Sequence, residues 1–469
     1  MLKGLEVAEV SFSKIDLNDR IDAEYFHKDS LDIQNILEQK GSIRFDTFGD
    51  FVASAFYPAA THLYEIGDLP FIRCVDCISF PYITSNQNRT FEKIPTEFAV
   101  EQKGISILTK GEMVITKVGS PCYASLVYDI ESVALSRTVL GLKNIRNIEP
   151  NYLLAFLRSK YGFNQLLRQR ELTIQYQLTL ERVKNILVYT PNSELQKVIG
   201  KNIMTSTKRM VEAENVYRNT EETLLSYLKL DKWQPKQDKI SIKSLSSSFK
   251  ISGRLDAEFY QPKYDELVNI IRKIEHKTLG SIASFKKSIE PGSDAYQTEG
   301  IPFIRVSDIS KFGLSEPEIH IDREIYNDET LKPKKDTILL SKDGSVGIAY
   351  KVEQDLDVIT SSALLHLTIT DKEVLPDYLT LVLNSKLTQM QAERDAGGSI
   401  IQHWRPDEIK QVLIPILPMD TQKELVKQIQ QSFKLRQEST KLIDIAKQAV
   451  EIAIEQDENT ALKFIKDNT

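Results

Sequence analysis

Cys74 and Cys77 stand three apart in Leu69–Cys77, which reads LPFIRCVDC. That spacing suits half of a zinc site or a redox pair. A zinc site needs four ligands, and neither a second CxxC nor a paired histidine follows. The only other cysteine is Cys122, and the six histidines, His27, His62, His276, His320, His366 and His403, are scattered. No GxxxxGK[ST] phosphate loop, GxGxxG, HExxH or GxSxG occurs. Asp343-Gly-Ser-Val-Gly347 is a glycine turn too short and isolated for a nucleotide loop. These residues compose no catalytic constellation.

A second stretch explains the first. Ile301–Ile309 reads IPFIRVSDI, so Pro70, Phe71, Ile72, Arg73 and Asp76 recur as Pro302, Phe303, Ile304, Arg305 and Asp308. Val306 stands for Cys74 and Ile309 for Cys77, so both cysteines occupy positions that accept plain hydrophobes. The echo extends along the chain. Arg20-Ile-Asp-Ala-Glu-Tyr-Phe26 returns as Arg254-Leu-Asp-Ala-Glu-Phe-Tyr260, and Val114–Ser120 as Leu339–Ser345. Pro150-Asn-Tyr-Leu153 returns as Pro376-Asp-Tyr-Leu379, Ser159-Lys160 as Ser385-Lys386, and Gln196-Lys197 as Gln422-Lys423. A period of about 230 residues is far too long for a solenoid repeat and marks two similar domains. His27 faces Gln261 in its twin, so it is not a shared catalytic base.

The elements that must position these residues follow the same order twice. A helix is expected after each RxDAE motif, for example Asp22 to Gln39 with Asp22 as N-cap. Short strands are expected at PFIR, EMVITKV and SLVYDI, and at PFIRV, TILLSK and DVIT. A helix follows Pro150 and Pro376, then a polar loop, a short apolar strand and a long helix. In the first long helix Ile199, Ile203, Ser206, Met210, Ala213, Tyr217, Thr220, Leu224 and Tyr227 alternate four and three apart. The second repeats this with Leu425, Ile429, Ser432, Arg436, Ser439, Ile443, Ala446, Val450 and Ala453. Sustained heptads at matching points predict that the two helices pair. The expected organisation is a first domain over 1–192, a spacer helix over 193–230 and a linker over 231–252. A second domain over 253–418, a spacer helix over 419–456 and a tail over 457–469 complete it.

The 469 residues carry 60 basic and 66 acidic groups, a net charge of −6, which excludes a coat of positive charge but not a local basic groove. The odd cysteine count argues against a secreted disulfide framework. With no signal-peptide core and no apolar run of membrane length, a cytoplasmic location is expected.

The two copies of RxDAE[YF][YF], [LI]PFIRxxD, a strand with [TS]Kx-Gly-Ser, Pro-x-Tyr-Leu, a polar loop and a long helix resemble the specificity subunits of type I restriction–modification systems. The resemblance covers nearly the whole chain. It implies a mixed α/β (α+β) fold of two tandem target-recognition domains, joined by long antiparallel coiled-coil helices with pseudo-two-fold symmetry. It implies a non-catalytic subunit that reads a bipartite, asymmetric site in double-stranded DNA. The implied partners are two modification subunits, which carry S-adenosylmethionine and methylate adenine, and restriction/translocase subunits. No cofactor is expected on this chain itself. A coiled-coil assembly scaffold and a free-standing nuclease are the alternatives.

Duplication sorts the candidate DNA-binding residues. Phosphate contacts position and base contacts specify, so unshared residues are the candidates for sequence reading. Arg73 and Arg305 are expected to pair within their domains with Asp76 and Asp308. Lys117 and Lys342, with Ser345, sit beside glycine turns where lysine can meet phosphate. Asn86, Gln87, Asn88, Arg89, Gln175, Tyr176 and Gln177 are the first copy's divergent candidates, against ordinary polar surface loops. Lys311, Gln402, His403, Trp404 and Arg405 are those of the second. Asn and Gln can bind adenine, Arg can bind guanine, and an aromatic can stack.

Overall fold

The computed structural model describes residues 8–10, 15, 20, 22–55, 61–78, 81–85, 91–102, 104–119, 122–171, 176–235, 240–397 and 402–469. The chain divides into two compact units, Met1–Asn215 with Lys434–Thr469, and Val216–Phe433. Both divisions fall inside long helices.

In unit 1, helix α1 (Lys28–Gln39) precedes strands β1 (Asp50–Ala53), β2 (Leu69–Ile72), β3 (Tyr82–Ile83), β4 (Met113–Thr116), β5 (Ala124–Val127), β6 (Ser132–Leu135) and β7 (Val139–Lys143). Helices α2 (Pro150–Arg158), α3 (Lys160–Arg168) and α4 (Ser193–Tyr227) follow. Sheet order is β1-β7-β4-β5-β3. Leu140 of β7 stands opposite Ala53 on one side and Ile115 on the other. β4 and β5 are buried along their whole length, hence their continuous apolar sequences. β2 pairs in parallel with β6, Phe71 opposite Ala134.

Unit 2 repeats the plan with α5 (Pro262–Ile271), β8 (Ala283–Lys287), β9 (Ile301–Ile304), β10 (Ile338–Ser341), β11 (Ala349–Lys351), β12 (Leu364–Ile369), α6 (Pro376–Asn384), α7 (Lys386–Asp395) and α8 (Met419–Glu455). Its main sheet runs β8-β12-β10-β11, the order of β1-β7-β4-β5. β9 again pairs in parallel, Phe303 opposite Ile359.

The shared motifs prove to be scaffold. Tyr152 Oη donates to the Tyr189 carbonyl at 2.7 Å, and Tyr378 Oη to that of Pro415 at 2.8 Å. Gln196 accepts from the Glu149 amide at 3.1 Å and donates to the Pro191 carbonyl at 2.8 Å. Gln422 does the same for Leu375 at 3.0 Å and Glu373 at 2.7 Å. The glutamines satisfy the amides of Glu149 and Leu375, which cap the N-termini of α2 and α6, and the tyrosines tie those helices to carbonyls at strand ends. Arg254 grips Asp256 through two bonds of 2.6 and 2.9 Å and donates to the Asp395 carbonyl at 2.7 Å. Its guanidinium lies 4.6 Å from the Phe259 ring, with Arg394 5.4 Å away. Arg20, Asp22, Tyr25 and Arg168 reproduce this sandwich. Asp22 is therefore not the N-cap expected of it: the Arg20 fork takes its carboxylate, a turn intervenes, and α1 begins at Lys28.

Arg73 and Arg305 keep to their own domains. Asp76 accepts from the Arg73 amide at 2.8 Å and lies 3.7 Å from its Nε, and Asp308 repeats both distances with Arg305. Cys74 and Cys77 are buried. Burial pushes the Cys77 thiol up to about 12, the opposite of what a reactive thiolate needs.

Within unit 1 the first part of α4 meets the last part of α8. Ser206 and Ser439 exchange hydroxyl-to-carbonyl bonds of 2.9 and 2.8 Å, and Glu214 lies 3.7 Å from Arg436. Numbers rise along one helix as they fall along the other, so this contact is antiparallel. Within unit 2, Thr220 donates to Gln428 at 3.0 Å, and Leu224, Leu425 and Ile429 are buried. Tyr227, expected in the seam, is 45% exposed. After α8, helix α9 (Glu458–Asn468) places Ala461 and Ile465 in the core of unit 1.

Candidate nucleic-acid interface

Each unit builds the same frame from a strand end and a returning loop. In unit 1, β4 runs into Lys117, Val118 and Gly119, whose φ of +87° is open to glycine at little cost. The loop after α3 returns so that Gln177 bridges both Val118 and Glu171, and the Leu178 amide bonds the Lys117 carbonyl at 2.9 Å. In unit 2, β10 runs into Lys342, Asp343 and Gly344, with φ of +73°. There His403 bridges both Asp343 and Gly397, and the Trp404 amide bonds the Lys342 carbonyl at 2.8 Å. The Gly344 amide adds a bond to the Gln402 carbonyl at 2.9 Å. The frame is shared and the residues it displays are not.

The two lysines differ. Lys117 is half-buried and has no ion-pair partner among the described residues. Lys342 is buried and ion-paired with Asp343, so its charge is already engaged. Asp343 also lies 2.9 Å from His403 Nδ1. Val118, its counterpart in unit 1, makes no such link.

Among the other expected residues, Gln402, Ser345 and Arg405 are exposed. The Ser345 carbonyl accepts from Ser341 at 2.6 Å. Arg405 pairs with Glu408 at 2.5 Å, which raises its pKa. Tyr176 is exposed, with the Arg170 guanidinium 4.2 Å from its ring. Asn86, Gln87, Asn88, Arg89 and Gln175 lie outside the described residues.

One expectation is corrected. Trp404 is 1% exposed and belongs to the core of unit 2, where Leu178 stands in unit 1, so it offers no face for stacking. Lys311 sits 4.2 Å from the Tyr217 ring, beside Phe312, which also contacts Phe433. Phe312 and Lys311 thus pack against α4 and α8 within unit 2. Sequence reasoning passed over Arg170 and Asp343. The signal for Asp343 was its replacement by Val118 in the twin.

The arrangement holds polar side chains on a backbone frame that both units share, which suits recognition by hydrogen bonding. Among the described residues no cluster of three or more His, Cys, Asp or Glu is placed to hold a metal, and no helix is long and apolar enough to cross a membrane.

Residues 271–446 match the family model described as the type I restriction modification DNA specificity domain. Among solved structures, the chain is similar to the S subunit of a type I restriction–modification system from M. genitalium, at 13% identity and a TM-score of 0.38, covering 90% of this chain and 95% of that one. It is similar to the HsdS subunit from Thermoanaerobacter tengcongensis at 17% identity and a TM-score of 0.28, covering 83% and 90%. A chain from a study of complex assembly and conformational transition of the type I R-M system matches at 15% identity and a TM-score of 0.29, covering 88% and 97%. No curated protein matches the chain.

Proposed function

We propose, from the match of residues 271–446 to the type I restriction modification DNA specificity domain, that the chain is the DNA-reading subunit of such a system. It carries no catalytic role of its own. It reads two short, unequal half-sites around unread base pairs and brings two modification subunits to them. Those subunits bind S-adenosylmethionine and methylate adenine, and restriction/translocase subunits cleave unmodified DNA.

The supporting observation is the repeated loop-on-turn frame, with Gln177 at the bridge in unit 1 and His403 in unit 2. A shared frame with different displayed side chains is what two readers of different sequences require, because backbone contacts position while base-edge contacts specify. Sequence-specific DNA proteins need local rather than global positive charge, so the net charge of −6 does not oppose this.

Methylation mapping of the host genome, with and without this gene, tests the proposal. The expected result is an interrupted, asymmetric motif that disappears with the gene. Grafting residues 253–418 from a relative with another target should alter one half-site and spare the other. A single uninterrupted motif, or both halves changing together, would refute the two-reader reading.

A further inference from the structure

We propose that the bridge position, Gln177 in unit 1 and His403 in unit 2, is a base-reading position, and that Asp343 fixes the His403 ring so that it reads with one nitrogen. This rests on the DNA-reading proposal above and deepens it to named atoms.

The His403 side chain is 62% exposed although its backbone is held on both sides, by Asp343 and by Gly397. A fixed backbone with an exposed side chain is the requirement for a reader that must not move. A carboxylate only accepts, so Asp343 at 2.9 Å obliges Nδ1 to carry the hydrogen. With Nδ1 carrying the hydrogen, Nε2 is the nitrogen left to accept, with no partner among the described residues. In the major groove an acceptor complements the exocyclic amine of adenine or cytosine.

Competing charges nearby are committed. A cavity of about 320 Å³ beside the ring is lined by Arg254, Asp395, Gly397, His403, Arg405 and Glu408. Arg254 is held by Asp256, Arg405 by Glu408 and Asp395 by Arg394. Lys342 engages Asp343. In unit 1, Val118 replaces Asp343 and Gln177 replaces His403. A glutamine offers donor and acceptor together and can bind adenine through N6 and N7.

The test is methylation mapping in the host with the full chain carrying His403→Gln, Gln177→His or Asp343→Val, each installing the residue that the other unit bears. His403→Gln should change the preferred base at one position of the second half-site only. Gln177→His should do so in the first. Asp343→Val should relax preference at the same position that His403→Gln changes, by roughly tenfold or more. Duplex oligonucleotides permuted at that position, bound by the purified complex, supply the ratio. An unchanged motif in all three variants overturns the inference, as do changes spread over both half-sites. Complete silence from a variant that still assembles also counts against it, since each new residue is one that this frame already accepts. Absence of any interrupted motif from the wild type would instead sink the DNA-reading proposal itself.

Discussion

The Glu214–Arg436 pair is the sharpest place to perturb the helices. Glu214 is 2% exposed and the Arg436 side chain 15% exposed, at 3.7 Å. Tyr82 is buried close by, and its hydroxyl pKa is pushed up by burial and then by the Glu214 charge. At an effective dielectric near 20 the attraction is about 4 kcal/mol, and desolvation opposes a comparable amount. The net value of the pair is therefore small, while breaking it is costly. Arg436→Met, which installs the residue found at the twin position Met210, removes a cation from beside a buried carboxylate and should cost about 3–5 kcal/mol. Glu214→Leu leaves a cation with some access to water and should cost less, about 2–3 kcal/mol. The double variant should return to within about 1 kcal/mol of wild type, because two apolar residues satisfy the seam as well as an ion pair does. A chain of two units need not unfold in one step, so the readout is local: hydrogen exchange of α4 peptides within 200–215 in unit 1. Single effects that merely add, within about 0.5 kcal/mol, would refute the buried-pair reasoning.

Three further outcomes follow from the burial of single groups. Burial lowers the His366 pKa to about 4, with Nε2 2.8 Å from Thr360. The folded value lies below the unfolded value of about 6.5, so the stabilisation is complete above that pH and is lost as pH falls toward 4. About 2 kcal/mol should disappear between pH 7 and pH 5, and His366→Gln should flatten the urea-midpoint profile; parallel profiles would disprove the assignment. Trp404→Leu, the residue of unit 1, should destabilise unit 2 by about 2–4 kcal/mol while leaving the second half-site's sequence intact. A changed motif with unchanged stability would return Trp404 to a stacking role. Cys77 should resist thiol reagents until the chain unfolds, and rapid labelling of the native protein would contradict its raised pKa.

Much of the fold was legible because the chain is its own alignment. Cys74 and Cys77 could be read as core because Val306 and Ile309 stand in their places, and the structure buries both cysteines. The strands around PFIR and the helices after Pro150 and Pro376 lie where periodicity and proline put them. Asp22 misled because an N-cap and one half of an arginine fork have the same local sequence, and the partner that decides, the backbone near Arg168, is remote in the chain. Arg436 is the one charged residue among the seam positions read from the sequence. Its partner Glu214 lies on the other helix, where no local pattern could announce it.

The loops of the proposed site stand out in the sequence, and the directions of their side chains less so. Polar composition marked the loops around 177 and 403, but composition does not say which way a residue points. Trp404 sits between exposed His403 and exposed Arg405, yet it faces the core. The twin offered the correction, since Leu178 occupies that point and an aliphatic residue cannot be a stacking platform. The same comparison separates the neighbours. At Leu178 and Trp404 the two copies agree in being apolar, so the position belongs to the fold. At Gln177 and His403 they agree in being polar and differ in chemistry, on a backbone that both units hold alike. A duplicated frame keeps what packing demands and is free to vary what packing does not use. On the proposed reading that freedom lets one chain distinguish two DNA sequences, and Asp343 opposite Val118 extends it one residue deeper, from the side chain proposed to read to the one that holds it.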